Sequence, residues 1–182
     1  MMGAILTPGD VPVSLNEARG WLRMGASIDD AVVAQLIRAA TNICEAFIGC
    51  RLIAGAVEEV LSVGPGAVQL GVRPVVGVDT AALLSEEGSE TALGDGDYRL
   101  AIGRDGTGRL TLSGAVGGGR LRVGYRAGIA AGPNEVPEAI RQGIVRLVQH
   151  LHEARDGAGG GPPAAVAALW QPWRRMSLGG AA

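Results

Sequence analysis

The apolar residues of this chain change their spacing twice, and this change constrains the fold more than any other feature. Over residues 14–49 they recur at helical spacing. Over residues 51–128 they fall into short β-prone runs, and over residues 136–153 the helical spacing returns. A sheet placed between helical segments is an α+β arrangement with helices and strands segregated. The sequence therefore predicts a small helical bundle with an inserted antiparallel β meander or sandwich.

The helical segments have recognisable ends. Ser14 and Glu17 form a capping box at the start of the first predicted helix. Ser27 begins a second and longer helix, and Gly49 supplies its C-terminal stop. We expect these two helices to pack against the helix of residues 136–153, which leaves the β segment as an excursion from the bundle.

The β segment is divided by glycine-rich clusters into short runs. Such clusters between β-branched residues are typical of turns. The segments Ser85–Gly96 and Gly114–Gly119 are predicted to be exposed loops at the tips of the sheet. The predicted strands are Glu58–Val63, Val68–Val72, Val75–Val78, Tyr98–Ile102, Arg109–Leu112 and Leu121–Tyr125.

Composition and charge exclude several classes of function. The chain has 16 basic and 18 acidic residues, a formal net charge of -2, and every basic residue is arginine. Without lysine there is no P-loop lysine and no Schiff-base lysine. Cys44 lies on the apolar stripe of the second helix and Cys50 follows its end, where it could be partly exposed; neither has an activating neighbour. No signal peptide or membrane span is evident, so we expect no membrane partner and a reducing compartment.

Metal-binding and catalytic patterns fail on spacing. His150 and His152 are two residues apart on a predicted helix and point about 200° from each other, so they cannot share a metal. Asp95 and Asp97 lack the other ligands of a calcium loop. We predict no catalytic residue, no metal and no cofactor, and an enzyme with an unrecognised site is the least favoured alternative.

Arginines recur on one predicted strand. Arg120, Arg122 and Arg126 share strand parity, so their guanidinium groups lie on one side of a half-buried strand. A solvated face or ion pairs between subunits is the favoured interpretation. Contact with a DNA backbone is the alternative, although three arginines on an acidic protein release few counterions.

The C-terminal segment concentrates large apolar residues behind a flexible joint. Gly157–Gly161 and Pro162-Pro163 separate it from the preceding helix, and Pro172 should end or kink its short helical stretch. Tryptophan and arginine are enriched in binding hot spots. Folding back onto the same chain and docking onto a partner are both open, and docking is favoured. The candidate docking residues are Leu169, Trp170, Trp173 and Arg174.

The order of these elements resembles a known family. Six stretches are similar in order and spacing to the tailed-phage head–tail connectors, the head-completion adaptors. In chain order they are PVSLNEARGWLRM, IDDAVVAQLIRAATNICEAFIGCRLI, RPVVGVD, DYRL, LRVGYRAGIAAGPNEVPEAIRQGIVRLVQHLHEARD and LWQPWRR. The resemblance covers roughly residues 12–176. The Gly-rich 114–119 loop, Trp173 and the Gly-Gly-Gly joint depart from the family pattern. The lysine-free, Arg- and Gly-rich composition suggests a GC-rich genome, which would suit a prophage or a gene transfer agent.

The resemblance implies a non-enzymatic ring, typically of twelve copies. It would lie beneath the portal in the neck of a virion or phage-like particle assembled in the host bacterial cytoplasm, extending the DNA channel toward the stopper and tail. The implied layout is an N-terminal arm (1–13), an adaptor domain (14–156) and a portal-docking tail (157–182), with Leu169, Trp170, Trp173 and Arg174 on the portal. Arg120, Arg122 and Arg126 would face the channel or a neighbouring subunit. The alternative is a small cytosolic nucleic-acid-binding protein that uses the arginine stripe.

Overall fold

The structure, a computed structural model, describes residues 5–6, 10–22, 30–85, 89–114, 119–153 and 161–174. The chain divides into two compact units. The β unit comprises Met1–Gly9 and Ala54–Ile129, and the helical unit comprises Asp10–Ile53 and Ala130–Ala182. Helices and strands are segregated between these units, so the predicted α+β class is confirmed.

The helical unit is built from four α-helices. Helices α1 and α2 both pack against α3, as predicted, and α4 packs on α2 and α3. The apolar stripe of α3 is buried at Ile140, Ile144 and Leu147 because these positions recur at helical spacing. The helices are α1 (Leu15–Leu22), α2 (Asp30–Ile48), α3 (Glu138–Glu153) and α4 (Ala164–Trp170), with short 3-10 turns at Pro133–Glu135 and Gln171–Trp173.

The predicted helix ends are observed where the structure describes them. The Ser14 amide donates to Glu17 Oε2 over 2.8 Å, and the Glu17 amide donates to Ser14 Oγ over 3.2 Å. At the end of α2, Gly49 has φ 70° and its amide donates to the Glu45 carbonyl. Glycine adopts this left-handed conformation without a Cβ clash. Ser27, the predicted cap of α2, lies outside the described residues.

Helix α2 has the length and apolar composition of a membrane span, with 19 residues and a mean hydropathy of 1.4. The two sides of this helix differ in exposure to solvent, however. Gln35, Arg38 and Asn42 are exposed, whereas a stripe at helical spacing is buried against the other helices. This distribution is that of an amphipathic core helix. The buried residues of α2 are Val33, Ile37, Ala40, Thr41, Cys44 and Ile48.

The β unit contains two antiparallel sheets. The larger has the strand order β1-β2-β8-β4-β5 and the smaller has the order β3-β7-β6. Apolar residues from both sheets form one core, including Val57, Leu110 and Tyr125. The strands are β1 (Ile5–Leu6), β2 (Gly55–Ser62), β3 (Val68–Gln69), β4 (Val75–Leu84), β5 (Glu90–Ala92), β6 (Tyr98–Ile102), β7 (Gly108–Leu112) and β8 (Arg120–Ala127).

The arrangement differs from a meander in one respect. Strand β8 lies between β2 and β4, so the last strand of the insertion is the centre of the larger sheet. The sandwich alternative is the one observed, because residues of both sheets face a shared core. Neighbours in a sheet are decided by long-range packing, which the period of the apolar residues does not encode.

The predicted loop Ser85–Gly96 contains a strand. Strand β4 continues beyond Val78 to Leu84 and pairs with β5, whose three residues are all exposed. Hydrogen bonds from the Ser85 amide to the Ser89 carbonyl and from the Leu93 amide to the Ala81 carbonyl hold this hairpin. Because none of its side chains is buried, β5 has no apolar alternation by which the sequence could reveal it.

The capping box makes a testable contribution to stability. Glu17 also contacts the Arg141 guanidinium, and the Ser14 amide is the main cause of the lowered pKa of the Glu17 carboxyl. A lowered pKa stabilises the fold above the unfolded-state pKa, and this stabilisation is lost as pH falls through the folded-state pKa. Glu17→Gln should therefore lower the free energy of unfolding by about 0.5–1 kcal/mol at pH 7.

The difference between Glu17→Gln and the unsubstituted chain should disappear at acidic pH, as measured by denaturant titrations at pH 7 and below pH 4. Glu153→Gln, at the exposed C-terminal end of α3, is the control and should stay within about 0.5 kcal/mol. A loss that persists unchanged at low pH would show that the charge of Glu17 is not what stabilises the cap.

Candidate functional site

The first candidate site is the outer face of β8, which we call the arginine face (Arg120, Arg122 and Arg126). Along β8 these residues alternate with Leu121, Val123 and Tyr125, which are buried in the core. The three arginines therefore lie on one side of the strand, as their parity predicts. Because β8 is flanked by β2 and β4, residues of both neighbours share this face with the arginines.

Carboxylates from β2, β4 and β5 pair with two of the arginines. Arg122 Nη1 lies 2.6 Å from Glu90 Oε2, and Arg122 Nε lies 3.6 Å from Glu58 Oε1. Arg126 Nε donates to Asp79 Oδ1 over 3.2 Å. The described part of this face thus holds three arginines and three paired carboxylates. It is a network of ion pairs within the chain, and the sequence reasoning missed its acidic members because strand neighbours were unknown.

Arg122 is the most constrained of the three arginines. Its Nε is shielded from solvent, and the 3.6 Å to Glu58 is an ion-pair distance that exceeds a hydrogen bond. Its Nη1 meanwhile forms the short hydrogen bond to Glu90. Replacing Arg122 by glutamate would put three carboxylates together, so this site is more sensitive to charge reversal than an isolated surface residue.

The second candidate site is the C-terminal helix, and the structure places its main residue in the core. Trp170 is fully buried, and its indole Nε1 donates to the Ile140 carbonyl over 3.2 Å. The Phe47 ring lies 5.8 Å from the Trp170 ring at an angle of 53°. Gly143 forms the wall of this pocket, because a Cβ there would lie 2.7 Å from Trp170 Cε2 and would collide with Nε1.

In this structure the C-terminal segment folds back onto its own chain, which is one of the two alternatives that the sequence left open. Val166 and Trp170 are buried against α2 and α3, and burying a large aromatic ring offsets much of the entropy of ordering a short helix. Of the predicted docking residues, Trp170 is inaccessible in this conformation, Leu169 and Trp173 are half-buried and Arg174 is exposed. The Arg174 guanidinium lies 5.1 Å from the centre of the Phe47 ring.

Gly143 is the signal in the sequence that could have located this pocket. A glycine in the middle of a helix costs about 1 kcal/mol relative to alanine and calls for a packing reason. The reason here is the close approach of the Trp170 indole. Phe47 carried no comparable signal, since it is one residue of a long apolar stripe.

The remaining candidates do not form a reactive site. His150 is exposed and His152 is half-buried, and no group of three metal-ligating side chains occurs within the described ranges. Cys44 is buried, which raises the pKa of its thiol far above that of a free cysteine. Cys50 is also buried, so its expected partial exposure is wrong.

Comparisons with known proteins agree with this picture. Residues 13–158 match the model of the family described as Head completion protein. The structure is similar to a chain in the neck of an empty GTA particle computed with C6 symmetry, with 26% identity, 99% of both chains covered and a TM-score of 0.79. Similar chains in the virion of a native gene transfer agent (GTA) particle and in the neck of a native GTA particle computed with C12 symmetry are both 24% identical over 99% of each chain, with TM-scores of 0.80 and 0.74. No curated protein sequence matches.

These features define a structural head–tail connector rather than an enzyme. The family match spans most of the chain, including α1, α2, the strands β2 to β8 and α3. The chain belongs to the head completion protein family.

The tryptophan pocket predicts opposite effects for two glycine substitutions. Gly143→Ala should destabilise the protein by about 1–3 kcal/mol, because the added methyl displaces the Trp170 indole. Gly20→Ala is the control: Gly20 is also helical, a Cβ there would meet nothing within 4 Å, and the change should be neutral or stabilising by up to about 1 kcal/mol.

Thermal unfolding and tryptophan fluorescence measure both variants. Gly143→Ala should also shift the fluorescence toward that of exposed indole, whereas Gly20→Ala should leave it unchanged. Equal stabilisation by the two alanines would show that Trp170 does not occupy this pocket in solution.

Proposed function

We propose that this chain forms a ring of twelve copies in the neck of a phage-like particle of the gene transfer agent type. The observation that carries the proposal is the combination of the family match over residues 13–158 with a fold shared over 99% of a GTA neck chain. Neck structures computed with C6 and C12 symmetry support a ring of identical copies. The ring would lie beneath the portal and extend the DNA channel toward the stopper and tail.

The proposed contact with the portal uses the outer side of the C-terminal segment. Leu169, Trp173 and Arg174 retain exposed surface, and tryptophan and arginine are effective anchors at interfaces. Trp170 does not share this exposed surface in the described conformation, because its buried indole holds α4 against the rest of the helical unit. To serve as a portal anchor itself, Trp170 would first have to leave this pocket. Removing the chain after Asp156 would also empty the pocket, so such a truncation combines a folding defect with a docking defect.

The arginine face fits a contact between subunits better than a DNA contact. Arg122 and Arg126 already pair with three carboxylates of their own chain, so they would neutralise few DNA phosphates and release few of the cations condensed on the DNA. A face of alternating charges can instead exchange ion pairs with the same kind of face on a neighbour. DNA would then pass through the channel without sequence-specific contacts from these residues.

The ring proposal is tested by imaging particles that carry this chain. We expect twelve copies in a closed ring at the neck, with the C-terminal segment at the portal side, and particles without the chain should fail to join heads to tails. Reconstruction of the neck without imposed symmetry measures the copy number and locates the C-terminal segment of each copy. A single copy or a closed dimer at the neck would reject the proposal, as would a C-terminal segment directed away from the portal.

The nucleic-acid alternative is tested by a salt titration. For the free protein and duplex DNA, we expect weak binding whose logarithmic salt slope is about -1 or shallower, corresponding to roughly one phosphate contact. The triple variant Arg120→Gln, Arg122→Gln and Arg126→Gln should change this salt slope little. A slope near about -2.7 that the triple variant abolishes would favour the DNA-binding alternative, because three phosphate contacts produce that value.

A further inference from the structure

The outer face of the smaller sheet carries two further arginines. Strands β3, β6 and β7 direct alternate side chains toward the core, so the other side chains of each strand face outward. The five outward strand positions are all exposed, and none of them carries a carboxylate. They are Gln69, Arg99, Ala101, Arg109 and Thr111, which together we call the small-sheet face.

The register of the strands brings the two arginines together. Arg99 on β6 lies opposite Thr111 on β7. Arg109 on β7 lies opposite Ala101 on one side and opposite Gln69 on the other. Arg99 and Arg109 are therefore diagonal neighbours on adjacent strands, at a spacing of about 7–8 Å that long side chains can bridge. Two guanidinium groups, one hydroxyl and one amide thus share a small area of surface.

Among the described residues, neither arginine of the small-sheet face has a carboxylate partner. The arginine face differs in this respect, because two of its three arginines pair with carboxylates of β2, β4 and β5. The two sheets of the β unit therefore present arginines in different electrostatic states. Those of the small-sheet face are the ones available to an anionic partner.

The carboxylates nearest in sequence lie in the turns that flank β6 and β7, beyond the strand positions. Asp97 Oδ2 accepts a hydrogen bond from the Gly94 amide over 2.8 Å. Asp105 accepts hydrogen bonds from the amide and the hydroxyl of Thr107, over 3.1 Å and 2.6 Å. Asp95, the third of them, is exposed in the turn before β6. Two of the three carboxylates thus hold the turns in place, and the inward side chains hold the strands against the core.

The residue types of the small-sheet face identify the chemistry of its partner. Arginine forks, hydroxyls and side-chain amides are the groups that contact phosphate oxygens in complexes with nucleic acids. A protein partner would instead find aromatic or large apolar side chains at the centre of the contact. The five exposed positions of this face include neither, so its composition favours a phosphodiester backbone over an acidic protein surface.

We propose that the small-sheet face contacts the backbone of duplex DNA, with Arg99 and Arg109 converging on one phosphate group. The inference rests on the proposed function, in which every copy of a ring offers this face to the DNA in the channel. One phosphate per copy gives weak binding by the free chain. The contact is independent of sequence, because it reads no base edge. Phosphate contacts of this kind let DNA slide, as passage through a channel requires.

A salt titration of the free protein with labelled duplex DNA tests the contact. The test variant carries both Arg99→Gln and Arg109→Gln. Arg120→Gln is the matched control, because Arg120 is also exposed and lacks a carboxylate partner among the described residues, but lies on the larger sheet. These substitutions change exposed side chains, so each should alter the free energy of unfolding by less than about 0.5 kcal/mol. Thermal unfolding of each variant checks that it folds.

A fourfold increase in salt should weaken DNA binding about 3.5-fold for the unsubstituted chain and for Arg120→Gln, as one phosphate contact requires. For the double glutamine variant the loss should be less than about 1.5-fold, whereas a double variant with Arg99→Lys and Arg109→Lys should keep the salt dependence because it keeps the charge. A folded double glutamine variant with the full salt dependence would overturn the contact. So would poly-glutamate that displaces the labelled DNA as well as unlabelled duplex does, because the partner would then be an acidic protein surface.

Cross-linking in assembled particles tests the same face in the ring. Ala101→Cys places an exposed thiol between the two arginines, whereas both native cysteines are buried. With a short photoreactive group on this thiol, we expect at least tenfold more cross-linking to packaged DNA than from Val76→Cys, whose side chain is 51% exposed on the larger sheet. Equal cross-linking from the two positions in complete rings would overturn the proposed contact. If the neck holds no ring of this chain, the proposed function fails instead, and the titration of the free protein still decides the contact.

Discussion

The antiparallel pairing of β2 with β8 is the interaction on which the rest of the structure depends. These are the first long strand and the last strand of the insertion, and Gly55 opposite Ala127 brings its two ends side by side. In the helical unit, Ile53 and Ala130 form a β-bridge and the Ala130 amide donates to the Leu52 carbonyl. The chain therefore re-enters the helical unit beside the residues at which it left that unit. As a result, α2 can pack against α3 despite the long intervening sequence.

Strand β8 also divides the β unit into a core and a charged surface. Its inward side chains, Leu121, Val123 and Tyr125, fill the space between the two sheets. The outward arginines meet carboxylates from strands on either side. Each such exposed pair contributes only about 0–1 kcal/mol, so their main effect is on which charges remain available to a partner. This is why the positive charge of a stripe that looks basic in the sequence is balanced by carboxylates on the folded sheet.

The C-terminal segment shows the same contrast between residue type and environment. Tryptophan, proline and arginine after a glycine-rich joint are typical of a peptide that binds another protein. In the fold, Gly143 leaves room for the Trp170 indole, and Phe47 covers the ring. The segment is thus a short helix seated on its own unit, with Leu169, Trp173 and Arg174 left as its outer surface.

The sequence by itself determined the features that depend on neighbouring residues. The Ser14–Glu17 cap, the Gly49 stop, the apolar stripes of α2 and α3 and the alternation along β8 are all local patterns, and the structure contains each of them. The order of these patterns also indicated the family. Only the tertiary structure decided that β8 lies between β2 and β4, that Glu58, Glu90 and Asp79 balance the arginines, and that Trp170 fits against Gly143. Those outcomes depend on contacts between residues far apart in sequence, which local spacing cannot specify.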